Sequence, residues 1–266
     1  MQIPQDDPEF LIALHAPICP ELLRDDAVVV YRDGWHKTIT PSSPWAADNE
    51  ILFSNLVELA SDDEIDAAIA EYQSVGRPMR WCVYPWTQPA TLGERLIRRG
   101  ATHYDVRALV CSTDLPLPMV AGTEVERVRP DDLKAFEEYI EIMSSGWALP
   151  ADEEAFRRRR YRELIAGPAP ILHLFVARYQ GIAAGCGAFV IKGDSAYMTG
   201  DYIKRPYQAR GLYLSLHAAR LSALRAMGIK LASGHAREDT AAPWLLRFGH
   251  RSKFTYRIYK IEAPAA

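Results

Sequence analysis

The sequence has few cysteines, no long apolar run and little excess charge of either sign. The four cysteines, Cys19, Cys82, Cys111 and Cys186, are far apart and form neither a CxxC pair nor a cluster with histidine. We therefore expect no disulfide framework and no metal site, and isolated cysteines indicate buried positions in a reducing compartment. No apolar stretch is long enough to span a membrane, and the first residues lack a secretion signal. These absences favour a soluble, cytoplasmic protein without a membrane partner.

The charge balance excludes a second class of function. The chain has 31 Lys and Arg against 34 Asp and Glu, a formal net charge of −3 at pH 7. Bulk electrostatic binding of nucleic acid is therefore not expected. Of the 266 residues, 48% are hydrophobic and 24% charged, which is typical of a globular chain. That length is enough for one large domain or two modest ones.

The first half of the sequence reads as alternating strands and helices. Strands are predicted at 51–59, 81–84 and 103–112, and helices at 62–73, capped by Ser61, and at 89–99. Two prolines and a glycine at 114–122 interrupt every periodic pattern. We predict a domain boundary there, with an N-terminal α/β domain at 1–118 and a second domain at 119–266.

The second half predicts a longer succession of elements. Strands are predicted at 124–128, 171–178, 182–191, 195–203, 229–235 and 255–261, with a hairpin turn at Gln180-Gly181. Helices are predicted from 130 to Ser145-Gly146, at 152–165, from the 205–211 loop to 227, and at 238–248.

One pattern occurs in both halves. A strand, a helix, a glycine and a further strand surround Gly100 and again Gly249. This echo suggests that the first half is a degenerate copy of the second, although βαβ units resemble one another in general. The start of the earlier helix, Ser61-Asp62-Asp63-Glu64, carries three carboxylates that would repel a phosphate.

The loop between the 195–203 strand and its helix is the most informative stretch. Gly211 would let a ligand approach the backbone, and Arg205 and Arg210 add positive charge. The first amides of a helix have no partner within the helix and carry partial positive charge. The loop therefore predicts a binding site for a diphosphate or polyphosphate.

The segment Gln208-Ala209-Arg210-Gly211-Leu212-Tyr213 resembles the Q/R-x-x-G-x-G/A signature of the GCN5-related N-acetyltransferase (GNAT) superfamily. The order of elements from 122 to 262 matches that family too. The resemblance implies an α/β (α+β) fold, with a mixed, mostly antiparallel sheet flanked by helices. The resemblance covers the second half only, and the echo around Gly100 and Gly249 is what suggests an N-terminal α/β half of the same fold.

The resemblance also implies a ligand. Backbone amides of Gln208 through Tyr213 would hold the pyrophosphate of acetyl-CoA or another acyl-CoA. The last residues of the strand, Asp201 to Ile203 with Tyr202 between them, would present main-chain groups to the pantetheine arm and the acyl carbonyl. The thioester would lie where this strand splays from its neighbour. Asp239 matches a family asparagine that also contacts the donor.

Two positions depart from the family pattern. Tyr213 replaces a small residue, so its phenol would crowd the CoA path or stack on the ligand. Leu245 replaces a tyrosine that protonates the leaving thiolate, so another acid or solvent would have to do so. These departures keep open an acyl carrier protein or aminoacyl-tRNA as donor, and a non-catalytic sensor that binds CoA.

Acyl transfer to an amine requires a base, and the sequence gives three candidates. Alternation along 195–203 predicts that Tyr197, Thr199, Asp201 and Ile203 share one face. Asp201 is nearest to the expected thioester, with capping of the following loop as its alternative role. Tyr197 and His235 are the other catalytic candidates.

The sequence does not identify the acceptor. We predict an N-acyltransferase acting on a small-molecule amine, and we also consider a homodimer. The basic run at 157–160 would either attract an acidic acceptor or form helical ion pairs with Glu153 and Glu154.

Overall fold

One sheet of eleven strands runs through the described part of the chain. The structure is a computed structural model that describes residues 4, 6–32, 34–56 and 62–263. The strands are β1 (Val28–Arg32), β2 (Trp35–Ile39), β3 (Glu50–Phe53), β4 (Met79–Val83), β5 (Thr102–Ser112), β6 (Thr123–Arg127), β7 (Leu172–Tyr179), β8 (Ile182–Lys192), β9 (Ser195–Ile203), β10 (Leu231–Arg237) and β11 (Arg251–Ile261). Their order across the sheet is β1-β2-β3-β4-β11-β5-β10-β9-β8-β7-β6. Only β3–β4 and β9–β10 pair in parallel among these strands, which confirms the predicted mixed, mostly antiparallel α+β fold.

Helices cover both faces of this sheet. They are α1 (Pro8–His15), α2 (Asp62–Ser74), α3 (Leu92–Arg98), α4 (Leu133–Trp147), α5 (Ala151–Ile165), α6 (Leu212–Ala226) and α7 (Ala242–Arg247). The first face carries α1, α4 and α5, and the second carries α2, α3, α6 and α7. Within the described ranges, none of the helices combines the length and apolar character needed to cross a bilayer.

The two halves of the chain exchange their last strands. β5 belongs to the first half but pairs with β10 of the second. β11 belongs to the second half but pairs with β4 of the first. The two exchanged strands also pair with each other at the centre of the sheet. The halves therefore share one sheet, and the division at residues 118 and 119 stays a prediction.

The repeat predicted around Gly100 and Gly249 is present in the structure. Both glycines are left-handed, with φ of +83° and +96°, and each follows the residue that caps its helix, α3 or α7. The following amides, of Ala101 and His250, return to the carbonyls of Leu96 and Leu245 at 3.1 and 3.0 Å. The same hydrogen bond thus ends both helices and turns the chain into an exchanged strand.

Several predicted boundaries were wrong. Helix α4 continues through Ser145-Gly146 to Trp147, because Gly146 provides close packing: a Cβ there would lie 2.4 Å from the ring of Tyr202. The helix predicted at 238–248 comprises only α7, since the chain turns at 238–241. Helix α1 and strands β1 and β2 were not predicted. The predicted cap Ser61 and the end of the 51–59 strand lie outside the described residues.

Candidate active site

A gap opens in the sheet between β9 and β10. These parallel strands pair from Leu231 opposite Ser195 to Gly234 opposite Met198, and no further. Beyond that point β9 continues to Ile203 and β10 to Arg237 without a shared ladder. The splay predicted from the family resemblance is therefore present, at the middle of β9.

A β-bulge on β9 changes which residues face each side of the gap. The register with β8 passes from Thr199 opposite Ala188 to Tyr202 opposite Cys186, so Gly200 and Asp201 together oppose one residue. Gly200 has a φ of +70°, which allows the distortion. The extra residue shifts the alternation by one position.

The prediction that Tyr197, Thr199, Asp201 and Ile203 share one face was therefore wrong. Tyr197 packs with Tyr202 against the α4 side of the sheet. Ile203 packs against α6 on the opposite side, and the carboxylate of Asp201 also points there. The two predicted catalytic residues of β9 thus lie on opposite sides of the gap.

A cavity of about 480 Å³ passes through this gap. On the first face Tyr197, Thr199 and His235 line it, together with Met143, Trp147 and Leu149. On the second face it reaches Asp201, Tyr213, His217, Leu245 and His250. It also extends along the first face to Glu50 and Arg80 of the first half. One continuous space therefore joins both sides of the sheet.

Asp201 is held by a buried arginine of α6. Its two oxygens accept hydrogen bonds from the Nη atoms of Arg220 at 2.5 and 2.8 Å. Arg220 is 0% exposed and also donates to the carbonyl of Ala188 at 2.9 Å. The ion pair therefore fixes the bulge of β9 to α6, and it replaces the loop cap considered from the sequence.

Two buried histidines extend this network. Arg220 can only donate, so Nδ1 of His217, 3.0 Å away, must accept. The proton of His217 is then on Nε2, which donates to Nε2 of His250 at 3.0 Å. Burial, Arg220 and the partner histidine hold the pKa of His217 well below its usual value. Burial lowers the pKa of His250 to about 4, so both rings are neutral at pH 7.

Tyr213 fills the space beside the position where the family has its acid. Its ring packs with Leu245 and Phe248, and its centroid lies 5.6 Å from that of His217. Burial raises the pKa of Tyr213, and the nearby carboxylate of Asp201 raises it further. The phenol therefore stays protonated and borders the second-face part of the cavity.

Both ring nitrogens of His235 are already engaged. Nδ1 lies 2.8 Å from the hydroxyl of Tyr256, and Nε2 lies 2.8 Å from the carbonyl of Ala13. Because the carbonyl only accepts, Nε2 carries the proton and Nδ1 accepts from Tyr256. Burial lowers the pKa of His235 to about 4. The ring is therefore a neutral wall of the cavity with no free nitrogen.

Tyr197 lines the first-face part of the cavity. Its ring meets that of His235 edge-on, with centroids 5.9 Å apart. Among the described residues its hydroxyl has no hydrogen-bond partner. Burial raises its pKa, so Tyr197 is a protonated phenol able to contact a ligand.

The predicted phosphate loop lies at the start of α6. Gln208, Ala209 and Arg210 are exposed, and Ala209 and Gly211 are left-handed, with φ of +61° and +80°. This geometry turns the chain sharply into the helix. A Cβ on Gly211 would lie 2.6 Å from the side chain of Val120, so this glycine is also required for packing.

Three further predicted donor contacts are placed as follows. Tyr202 packs on α4 against Gly146. The carbonyl of Ile203 accepts from the side chain of Gln208 at 3.2 Å, which ties strand end to loop. Asp239 is exposed in the turn after β10 and pairs with Arg237 at 2.6 Å.

Two arginines of the basic run of α5 form the helical ion pairs. Arg157 pairs with Glu153 at 2.6 Å and Asp48 at 3.2 Å, and Arg158 pairs with Glu154 at 2.7 Å. This confirms the helical ion pairs predicted from the sequence.

Sequence reasoning missed Arg220, His250, Glu50 and Arg80. A signal existed for Arg220, because it lies four residues after Leu216 and four before Leu224 on the apolar side of α6. A charged residue on such a face indicates a buried partner.

Solved protein structures resemble this chain over most of its length. No protein-family model and no curated protein sequence matches the chain. A functionally unknown protein from Staphylococcus epidermidis matches with a TM-score of 0.70 at 13% identity, over 92% of this chain and 98% of that one. A GCN5-related N-acetyltransferase from Kribbella flavida matches with a TM-score of 0.65 at 16% identity, over 98% and 97%.

A tandem GNAT protein from the clavulanic acid biosynthesis pathway matches with a TM-score of 0.56 at 14% identity, over 100% of this chain and 98% of that one. The chain has the GNAT fold. The sequence resemblance implied that the thioester lies where the signature strand splays from its neighbour, and that the pyrophosphate lies at the following loop. In this chain the β9–β10 gap corresponds to the first position and the loop before α6 to the second. The match to a tandem protein over the whole length agrees with the two-lobed arrangement around β5 and β11.

Proposed function

We propose that this protein transfers an acyl group from a CoA thioester, with acetyl-CoA as the simplest donor, to the amine of a small molecule in the cytoplasm. The observation that carries the proposal is the single cavity that passes through the β9–β10 gap and reaches the α6 face. A donor bound at the start of α6 would place its thioester in that gap. An acceptor on the first face would meet it from the other side.

The donor site is proposed from the helix start. The amides of Gly211, Leu212 and Tyr213 have no helical carbonyl before them to accept their hydrogens. Arg205 and Arg210 flank these amides on the exposed surface. The pyrophosphate would accept from the amides and gain from both charges.

The chemistry needs groups on both sides of the gap. The attacking amine must lose a proton, and the oxyanion that forms on the carbonyl needs donors. Backbone amides of β9 after Met198, released from pairing with β10, are proposed as those donors. The hydroxyl of Tyr197 would orient the acceptor amine, and that of Tyr213 would face the leaving sulfur.

We do not propose Asp201 or His235 as the group that takes the proton from the amine. Asp201 is paired with Arg220, and the lone pair of His235 is occupied by Tyr256. We propose that they act through position and electrostatics, and that the proton leaves through water in the cavity.

Calorimetric titration with acetyl-CoA tests the donor site, using a matched pair of variants at Ala209. Ala209→Asp adds a negative charge to the loop, and Ala209→Asn adds the same shape without it; both side chains tolerate the left-handed backbone. Repulsion across about 7 Å would cost about 1–2 kcal/mol, roughly 5- to 30-fold in affinity. Only Ala209→Asp should weaken binding.

The outcomes separate the candidate functions. Binding with acetyl-CoA-dependent release of free thiol on addition of amines supports the transferase. Binding without turnover of any amine would favour a CoA sensor. Absence of binding at millimolar acetyl-CoA would exclude this donor and leave an acyl carrier protein or aminoacyl-tRNA.

A further inference from the structure

An ion pair of the first half lies at the end of the cavity away from the donor loop. Glu50 and Arg80 are direct neighbours on β3 and β4, and both line the cavity. Cys82 and Leu52 lie two residues further along the same strands and therefore on the same face as Arg80 and Glu50. Both pack in the first-face core beneath α1. Both charges therefore point to the face that carries Tyr197.

In this ion pair, some hydrogen-bonding atoms of each side chain remain without a partner. The Nε of Arg80 donates to Oε1 of Glu50 at 2.5 Å, and the thiol of Cys82 donates to the same oxygen at 3.0 Å. Among the described residues, neither the Nη atoms of Arg80 nor Oε2 of Glu50 has a hydrogen-bond partner. Arg80 lines the cavity and its side chain is 25% exposed, so these open donors are available to a ligand in the cavity.

Such a guanidinium suits a carboxylate. Its planar N–H pairs match two carboxylate oxygens, and leaving them unpaired in a sheltered site is unfavourable. Glu50 already balances the charge of Arg80 and would repel a dianion such as a phosphate more strongly than a single negative charge. The chemistry at this end thus favours a monoanionic carboxylate.

An apolar surface joins this end to the gap. Val106 and Ile258 line the cavity beside Arg80, and the rings of Tyr104 and Tyr256 lie along it. Tyr197 lines the same cavity on β9, at the gap. A ligand that reaches from Arg80 to the gap would cross an apolar middle.

We propose that Arg80 binds a carboxylate of the acceptor, which makes the acceptor an amino carboxylate whose amine reaches the β9–β10 gap. This inference rests on the proposed acyl transfer and specifies its substrate class. Glu50 is a positioning residue that holds Nε of Arg80 and leaves both Nη atoms for the ligand.

Titration calorimetry with β-alanine, 4-aminobutanoate, 5-aminopentanoate and 6-aminohexanoate tests the proposal, each beside the alkylamine of equal length. At least one amino carboxylate should bind about tenfold more tightly than its alkylamine. Arg80→Gln should abolish the preference, and so should the neutral pair Glu50→Gln/Arg80→Gln, which leaves no unpaired charge. Arg98→Gln, an exposed change on α3, should keep it.

Equal affinity of the paired ligands in the wild-type protein would overturn the proposal, as would a preference that survives in both Arg80 variants. Failure of every amino carboxylate to bind at about 10 mM would also overturn it. Acetyl-CoA titration of the same proteins distinguishes failure of this inference from failure of the proposed function. Retained donor binding with no carboxylate preference refutes this inference alone, whereas absent donor binding refutes the proposed function.

Discussion

Substitution of Arg220 by methionine tests how β9 is held to α6. The guanidinium is 0% exposed and donates to both oxygens of Asp201, to the carbonyl of Ala188 and to His217. Methionine fills a similar volume but leaves the Asp201 carboxylate, sheltered beneath α6, without its cation. Breaking a buried ion pair in this way costs about 3–5 kcal/mol. The exposed edge of Asp201 favours the lower end of that range.

Urea unfolding at pH 7 measures the effect across four proteins: wild type, Arg220→Met, Asp201→Asn and the double variant. Each single change strands one charge, so each should lose about 3–4 kcal/mol, the lower part of that range. The double variant strands none and should be more stable than the sum of the single losses predicts, with a coupling of about 1–3 kcal/mol. A loss below about 1 kcal/mol in Arg220→Met, or strictly additive losses, would refute this account of the network.

The double variant also separates two roles of Asp201. If the carboxylate acts only by fixing the bulge, the double variant should recover thiol release from acetyl-CoA together with stability. If Asp201 is the base considered from the sequence, stability would recover and turnover would not.

Two further predictions concern residues outside the donor loop. Burial lowers the pKa of His173 to about 4, below its unfolded value of about 6.5. Between these values the unfolded chain binds a proton that the folded protein does not. The free energy of unfolding therefore has its full value above pH 6.5 and decreases as pH falls toward 4. In urea unfolding between those pH values, His173→Phe should be less pH-dependent than the wild type by about 1.4 kcal/mol per pH unit, and an unchanged slope would contradict it. Gly146→Ala should cost about 1–3 kcal/mol, because the new Cβ meets the Tyr202 ring at 2.4 Å. The exposed Ser145→Ala is its control and should stay within about 0.5 kcal/mol in the same assay.

The sequence predicted the elements that local patterns determine. The strand 195–203 was correct to the residue, since alternation continues from Ser195 to Thr199 and the loop that follows ends it. The hairpin at Gln180-Gly181 was also correct, because both residues adopt the left-handed conformation that such turns require. Boundaries failed where a glycine served packing, as Gly146 does in α4.

The site could be predicted only in part. The loop before α6 is local and carries its own signature, so it was found. The bulge at Gly200-Asp201 depends on the register with β8, which no single-strand pattern reveals, and it reversed the side on which Asp201 lies. Glu50 and Arg80 are thirty residues apart and meet only through the parallel pairing of β3 with β4, so nothing local marked them.

The two halves use the same architecture for different tasks. β3 and β4 pair in parallel and separate after Ile51 and Trp81, as β9 and β10 do after Met198. Yet the first turn of α2 carries Asp62, Asp63 and Glu64, where the second half has arginines and a glycine before α6, so a pyrophosphate would be repelled there.

The strand exchange explains why the first half is nevertheless needed. β5 and β11 each complete the sheet of the other half, so removal of either half would leave an unpaired edge in the middle of a sheet. The same exchange brings the face of β3 and β4 alongside the β9–β10 gap in one cavity. A half that has lost the charge pattern for a phosphate can therefore still supply one wall of the acceptor site proposed above, and Arg80 lies on that wall.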